Sequence, residues 1–262
     1  MSTILFRKSL AEDGEFEACS KYFQVVENRS QIPPNELVIG RYSVLPYYHE
    51  VEQDLPPGSI LINSLKQHKW IANFNYYHYL KEFTPKTWFD SSQIKDEDGP
   101  FVVKGSTNSK KFYWDELMYA KDKIAAIKIK CRLQEDSYIG SQNIIFRKYI
   151  PLKIYEVGCN GINFANEWRL FYYKDKLLSK GYYWSIADEE IIKNAEWKSD
   201  AQKLLDKIVP IVSQHVNFYV LDIAETAKGD WILIEINDGQ MSGLSENSAD
   251  ELYSNLERTL RC

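Results

Sequence analysis

The chain has 262 residues, with 32 Lys and Arg against 37 Asp and Glu, a length that buries a substantial core and suits one compact unit of two or three lobes, not a small stapled scaffold. Its net charge of -5 lacks the footprint of a dedicated nucleic-acid binder, so any basic site must be local. Cys19, Cys131, Cys159 and Cys262 are scattered, with no CxxC pair and no histidine at zinc-ligand spacing, which suggests neither a disulfide framework nor a structural zinc and makes a reducing cytoplasm the natural setting.

The opening apolar run stops at Arg7-Lys8, too soon for a signal-peptide core, and no stretch approaches the roughly 20 apolar residues that span a bilayer, so no membrane partner is expected. Residues 3–7 read as a first strand, and 36–42 and 59–62 as two more, separated by Pro33-Pro34 and Pro56-Pro57. Residues 65–82 read as helical, and Thr84-Pro85 stops that pattern before the strand-like 87–89. Residues 101–104 form a short buried strand that runs into 105–111, a loop of small residues ending in two lysines. A helix over roughly 114–123 follows. Residues 143–150 are strand-like, as are 168–173 and 181–184, which would form a hairpin across Lys174-Asp175-Lys176. Ser199 and Gln202 make a capping box for a helix that Pro210 kinks or ends. Strands over 218–224 and 231–237 flank the turn Lys228-Gly229-Asp230, and a last helix starts at Ser248, with Glu251 completing a second capping box. Most of the 18 Tyr and 7 Trp are expected as core or rim packing. The fold class is α+β.

The candidate chemistry sits near the C-terminus. Alternation along 231–237 predicts that Trp231, Leu233, Glu235 and Asn237 share one face and the three isoleucines the other. Asp222 interrupts an apolar run on the partner strand and should lie opposite or diagonal to Glu235. A buried carboxylate with no base partner is costly, so an acid in each of two apolar strands asks for a cation. Oxygen donors suit magnesium, which takes one or two carboxylates and leaves other positions to water and phosphate. The alternative is a strand-end carboxylate bonded to backbone amides or exposed at an edge.

Lys104, at the end of a buried strand and directly before a Gly-Ser-Thr-Asn-Ser loop, could reach phosphate while the loop amides wrap it; Ser106 and Lys110 fall in that loop. The spacing is neither a Walker A loop nor KxDG. Glu167 and Arg169 lie two apart and share a face on a strand, so Arg169 offers a planar fork to a phosphoryl or carboxylate oxygen, unless the two simply pair with each other. Lys180 precedes Gly181 and either approaches the same cleft or is a solvated turn lysine. The lysines and arginine between 121 and 132 read as a solvated helical face. His49, His68, His78 and His215 make no HExxH, and residues 239–243 lack the spacing of a nucleophile elbow.

Taken in order, Phe101-Val-Val-Lys104, Glu167-Trp-Arg169, Asp222 and Ile234-Glu-Ile-Asn237 resemble the signature of ATP-grasp ligases. Lys104 to Lys111, Arg147 to Leu152 and Asn237 to Ser245 are similar to motifs of that superfamily's R-two-K clade, found in bacteria and phages, and the opening lobe from Val38 to Pro46 resembles the clade too. The resemblance implies an ATP-grasp fold in which two α+β lobes, at 69–146 and 147–262, sandwich ATP behind a pre-grasp α/β lobe at 1–68. It implies that Lys104 and Lys69 touch phosphates, that Lys148, Tyr149 and Ile150 present backbone to adenine, and that Asp222, Glu235 and Asn237 hold magnesium, or manganese in its place. Two departures stand out. The ligases that join D-alanine carry an arginine two residues before the metal aspartate, where this chain has Val220, so that part falls to Arg169, whose place resembles that in the ribosomal-protein glutamate ligases. Lys148 stands where many ATP-grasp enzymes have an acidic or amide residue.

The reaction implied is ATP-dependent ligation of a small-molecule or peptide carboxylate to an amine or thiol through an acylphosphate, with release of ADP and phosphate. Arg169 and Lys180 are the catalytic candidates. The rivals are a phosphotransferase on the same fold, an ATP-binding scaffold that makes no product, and a nucleic-acid role resting on local Lys/Arg and aromatics.

Overall fold

The computed structural model describes residues 2–261; Met1 and Cys262 lie outside the described residues. The first elements are β1 (Ser2–Phe6), α1 (Glu15–Ser20), β2 (Gln24–Val26), β3 (Leu37–Arg41), α2 (Tyr48–Asp54) and β4 (Ile60–Leu61). They build a parallel sheet of order β2-β1-β3-β4. Both faces of β1 and β3 are covered, which is why they read as continuous apolar runs instead of alternating ones.

Next come α3 (Leu65–Ala72) and α4 (Tyr77–Leu80). The single helix expected over 65–82 is therefore broken. Ser64 and Gln67 cap α3 reciprocally, but Phe74 in the break takes a left-handed φ of 60°, a conformation no right-handed helix continues through.

A second sheet, of order β5-β8-β6-β7, is antiparallel. This region contains β5 (Thr87–Trp88), β6 (Phe101–Gly105), α5 (Trp114–Leu117), β7 (Tyr119–Ala120), α6 (Lys123–Gln134) and β8 (Ile144–Lys148) in chain order, the helices connecting its strands. The helix expected over 114–123 is corrected to the one-turn α5 and the strand β7; the long helix begins where that prediction ended, with Asp122 accepting from the Ala125 amide as its cap. Phe101, Val103, Ile144 and Phe146 pack with Ala126, Ile129 and Leu133 of α6.

The C-terminal part holds β9 (Ile154–Val157) and β10 (Asn163–Ala165), then β11 (Glu167–Tyr173), β12 (Lys176–Tyr182), α7 (Glu189–Asn194), α8 (Ser199–Val212), β13 (Phe218–Glu225), β14 (Trp231–Asp238) and α9 (Ala249–Arg261). Its main sheet is antiparallel, of order β12-β11-β13-β14. A hairpin does turn at Lys174-Asp175, with Lys174 at φ 50°, but its second strand is β12 at 176–182 and not the expected 181–184. Ser199 is the first residue of α8, not its cap, and Pro210 lies inside the helix without ending it. Ser248 does accept from the Glu251 amide at the start of α9.

Every residue of β13 is buried, because both faces of this sheet are covered. Tyr219, Leu221 and Ile223 pack with Leu205, Ile208 and Val212 of α8 and with Trp70 and Ile71 of α3. Phe218 and Val220, on the other face, share a core with Ile4, Phe6 and Ile39 of the first sheet and Leu252 and Leu256 of α9. The divisions expected at 68/69 and 146/147 fall inside α3 and β8. The fold is α+β, and among the described residues no helix is long and apolar enough to cross a membrane.

Candidate active site

The β13–β14 ladder carries a bulge. Asp222 pairs with Glu235, but Ile223 pairs with Leu233, leaving Ile234 as the extra residue. One extra residue inverts the side-chain alternation on either side of it. Trp231 and Leu233 therefore join Ile236 in the core with α8, while Ile232, Ile234 and Glu235 line the cleft. The expectation that Trp231, Leu233, Glu235 and Asn237 share one face is corrected accordingly: a period of two cannot be carried through a bulge that the sequence does not announce.

Asp222 is fully buried. Register places Arg169 on one side of it and Glu235 on the other, so the carboxylates are direct cross-strand neighbours. Arg169 donates from Nε to Asp222 Oδ1 at 2.9 Å and from Nη2 to Oδ2 at 2.8 Å, and a third bond runs from Nη1 to the Gly243 carbonyl at 3.0 Å. The Asn237 amide donates to Asp222 Oδ2 at 2.9 Å and to Glu235 Oε1 at 3.2 Å. Lys104, only 5% exposed, crosses from the second sheet and pairs with Glu235 Oε2. The three oxygen-bearing side chains thus converge. The premise that these acids lack a base is corrected, because Asp222 has Arg169 and Glu235 has Lys104.

Burial pushes the Asp222 carboxyl upward against the pull of Arg169. Loss of water also works to raise Glu235, but the Lys104 charge and hydrogen bond, with the Asn237 amide, outweigh it and hold Glu235 at about 2. Glu167, 6% exposed, is pushed up to about 8 by burial and then by the Asp222 charge. Among the described residues no group of three or more His, Cys, Asp or Glu is arranged to hold a metal ion. The set here is two carboxylates and a carboxamide, all hard oxygen donors, and that chemistry fits magnesium.

The 105–111 loop differs from expectation. Gln142 Oε1 accepts from the amides of Thr107 at 3.1 Å and Asn108 at 3.2 Å and from the Thr107 hydroxyl at 2.9 Å. It lies so close to Gly105 that a Cβ there would sit 2.5 Å from it. Those two loop amides are therefore occupied from within. The Ser106 amide donates to the Asn143 carbonyl at 2.9 Å, and Lys110 pairs with Asp136 at 2.5 Å; neither residue lines the cleft cavity.

Lys111 does line it. Its Nζ donates to Tyr183 Oη at 2.9 Å and lies 4.4 Å from the centre of that ring, and withdrawal from water lowers its pKa despite the nearby Glu167. Between the two adjacent lysines the sequence offers no way to choose. The choice depends on the turn at 111–113 and on Asp136, which claims Lys110 from a distant position. Tyr183 could have been found by counting two residues from Gly181, the register partner of Arg169, had that register been known.

The cavity between the second and third sheets has a volume of about 150 Å³ and an apolar wall that includes Val102, Met118, Ile150, Leu152, Ile232 and Ile234. Lys148 and Tyr149 lie along it. The Lys148 ammonium is turned onto the carbonyls of Asp98 and Gly99, 2.6 Å from each, and the Tyr149 amide donates to the Pro100 carbonyl at 2.9 Å. Two expected residues are elsewhere. Lys69 is exposed on α3 and outside the cavity lining. Lys180 pairs in register with Leu170, hence on the opposite face from Arg169, and its ammonium lies 4.2 Å from the Trp197 ring centre.

A family model described as an ATP-grasp domain, family 3 of the R-two-K clade, matches residues 92–256. No curated protein matches the sequence. Among solved structures, D-cycloserine synthetase DcsG is 12% identical with a TM-score of 0.61, covering 99% of this chain and 100% of that one. A RimK domain ATP-grasp protein from Sphaerobacter thermophilus is 12% identical at a TM-score of 0.58, covering 97% and 99%. The ATP-grasp ligase PsnB, complexed with minimal precursor, Mg and ADP, is 11% identical at a TM-score of 0.58, covering 99% and 98%. At these identities the likeness is one of fold.

Proposed function

Because the chain belongs to the R-two-K clade of ATP-grasp proteins, we propose that it is an ATP-dependent ligase joining a small-molecule or peptide carboxylate to an amine or thiol. The observation that carries this reading is the convergence of Asp222, Glu235 and Asn237 on one point, with Lys104 reaching them across the cleft. Asp222, Glu235 and Asn237 would hold magnesium, or manganese in its place, which supplies charge neutralisation at the phosphate oxygens.

Lys104 and Lys111, both on the cavity wall, would hold the phosphates from the side of the second sheet. The apolar wall would take the adenine, with Lys148, Tyr149 and Ile150 along its edge. In the first step a substrate carboxylate oxygen attacks the γ-phosphorus, and ADP leaves. In the second the amine attacks the acyl carbon, and phosphate leaves with the C–O bonding pair. Arg169 is fixed by Asp222 and would stabilise charge on the transferred group. Glu167, held neutral near pH 7, adds no repulsion toward a polyanion. No side-chain nucleophile is needed. Lys69, Ser106, Lys110 and Lys180 have no part in this reading.

The comparisons support it at the level of fold and family: DcsG is a synthetase and PsnB a ligase by name. The test is release of ADP and phosphate that requires both an acid and an amine, read after incubation of the purified protein with MgATP and a cell extract and a search for a product formed with loss of water. Formation of AMP would refute it, and a stable phosphorylated product would make the protein a phosphotransferase.

A further inference from the structure

Arg147 faces the same cleft yet pairs with no acid among the described residues. It is 5% exposed and stands on β8 opposite Val102, one step along the same face as the Lys104 and Ile145 pair. Its three hydrogen bonds all go to neutral oxygens: Nη1 to the Ile234 carbonyl at 2.5 Å, Nη2 to Thr84 Oγ1 at 2.6 Å and Nε to Thr87 Oγ1 at 3.3 Å. The guanidinium carbon lies 5.4 Å from the Phe74 ring centre. A buried cation neutralised by no direct carboxylate is costly, so its place asks for an explanation beyond packing.

The partners supply one. Ile234 is the bulged residue of β14, and its carbonyl, set out of the regular ladder, is the one Arg147 takes. Thr84 completes the link from the connecting segment, since its hydroxyl also donates to the Leu233 carbonyl at 2.8 Å while the Leu233 amide donates to the Phe83 carbonyl at 2.7 Å. One planar group therefore ties the second sheet, the connector and the third sheet together, next to Glu235 and on the same face as Lys104.

We propose that Arg147 is a positioning residue that sets the width of the cleft, fastening β8 to the Ile234 carbonyl and so fixing Lys104 against Glu235. A lysine cannot replace it, because a single ammonium lacks the fork that spans a carbonyl and two hydroxyls. The inference rests on the nucleotide reading of the cleft for its consequence, but the spacing of the two sheets can be measured with no nucleotide present.

The experiment pairs a spin label on Cys131, exposed on α6, with one at Lys207→Cys, exposed on α8, in a background carrying Cys159→Ser and Cys262→Ser. Pulsed dipolar spectroscopy on the full chain should give one narrow distance with Arg147 present and a broadened or displaced one in Arg147→Lys and Thr84→Val. Calorimetry with MgATP on the same proteins should show affinity reduced roughly 10- to 100-fold, and ethylguanidinium should restore part of both signals in Arg147→Ala. If Arg147→Ala does not fold, Thr84→Val, which keeps the charge, decides on the same readouts. An unchanged distance and unchanged affinity in folded Arg147→Lys would overturn the proposal. Absence of MgATP binding in the parent, with the distance still broadened in the variants, would refute the nucleotide reading and leave the fastening role standing.

Discussion

Arg169 and Asp222 face each other on neighbouring strands as a two-point pair, with bonds of 2.9 and 2.8 Å, and the aspartate has no exposed surface. Removing one member of such a pair leaves the other charge buried without compensation. Asp222→Ala should therefore destabilise the protein by about 3–5 kcal/mol, read from the denaturant midpoint. Asp222→Asn keeps the volume and an acceptor, should cost less stability, and should still abolish magnesium-linked nucleotide uptake.

Glu235 is matched by Lys104 across the cleft. Glu235→Gln should remove the magnesium dependence of MgATP binding in calorimetry while the fold, followed by circular dichroism, persists. Lys104→Met removes both the cation and the group that holds Glu235 ionised, so nucleotide affinity should fall at least about tenfold, on the order of one charged hydrogen bond. Binding by Lys104→Met equal to that of the parent would remove Lys104 from the phosphate site.

The adjacent lysines 110 and 111 should separate cleanly. Lys111→Ala takes away a cavity-wall cation and the partner of Tyr183 and should weaken MgATP binding by roughly tenfold or more. Lys110→Ala loses only the pair with Asp136, a surface ion pair of small worth to stability, and should bind as the parent does. Equal losses in both would contradict the placement of these side chains.

Glu167 gives the apoprotein a pH dependence whose sign is fixed. Its folded-state pKa, about 8, lies above the ordinary 4.5, so between those values the folded state holds a proton that the unfolded state has released. Stability from this group is full below pH 4.5 and declines as pH rises toward 8, with a slope of at most about 1.4 kcal/mol per pH unit. In Glu167→Gln that slope should vanish, which thermal unfolding across pH 5 to 8 measures. Glu235 runs the other way: its depressed pKa, about 2, contributes stability above pH 4.5 that is lost as pH falls toward 2.

Lys180 serves as the negative control. It stacks on Trp197 on the far side of the sheet, so Lys180→Ala should cost about 0.5–1 kcal/mol of stability and leave MgATP affinity unchanged. A large loss of affinity would reopen its candidacy.

What the sequence made legible follows from how local each feature is. The strands around Val103, Leu221 and Ile234 declare themselves by β-branched and aromatic runs, and the acids at 222 and 235 stand out against them, so their pairing was within reach. The counter-ions were not, because Arg169 and Lys104 reach the acids through sheet register and across a cleft between separate sheets, distances of 53 and 131 positions along the chain. The break at Phe74 and the turn that separates Lys110 from Lys111 carry no Gly or Pro to mark them. Gln142, which closes the loop amides expected for phosphate, lies 34 and 35 positions beyond them, and nothing in a lone glutamine signals that use.

The extra residue in β14 makes parity a property of this strand. Upstream of Ile234 odd-numbered side chains belong to the core, and downstream of it the odd-numbered Glu235 and Asn237 turn to the cleft. Excising that one residue would restore perfect alternation with Trp231 and Leu233 still facing inward and Glu235 still at the cleft, and would remove the carbonyl that Arg147 takes. Shortening the strand by Ile234 thus leaves its facing intact, and single-residue deletion scanning should find that deletion compatible with folding while it removes the Arg147 link.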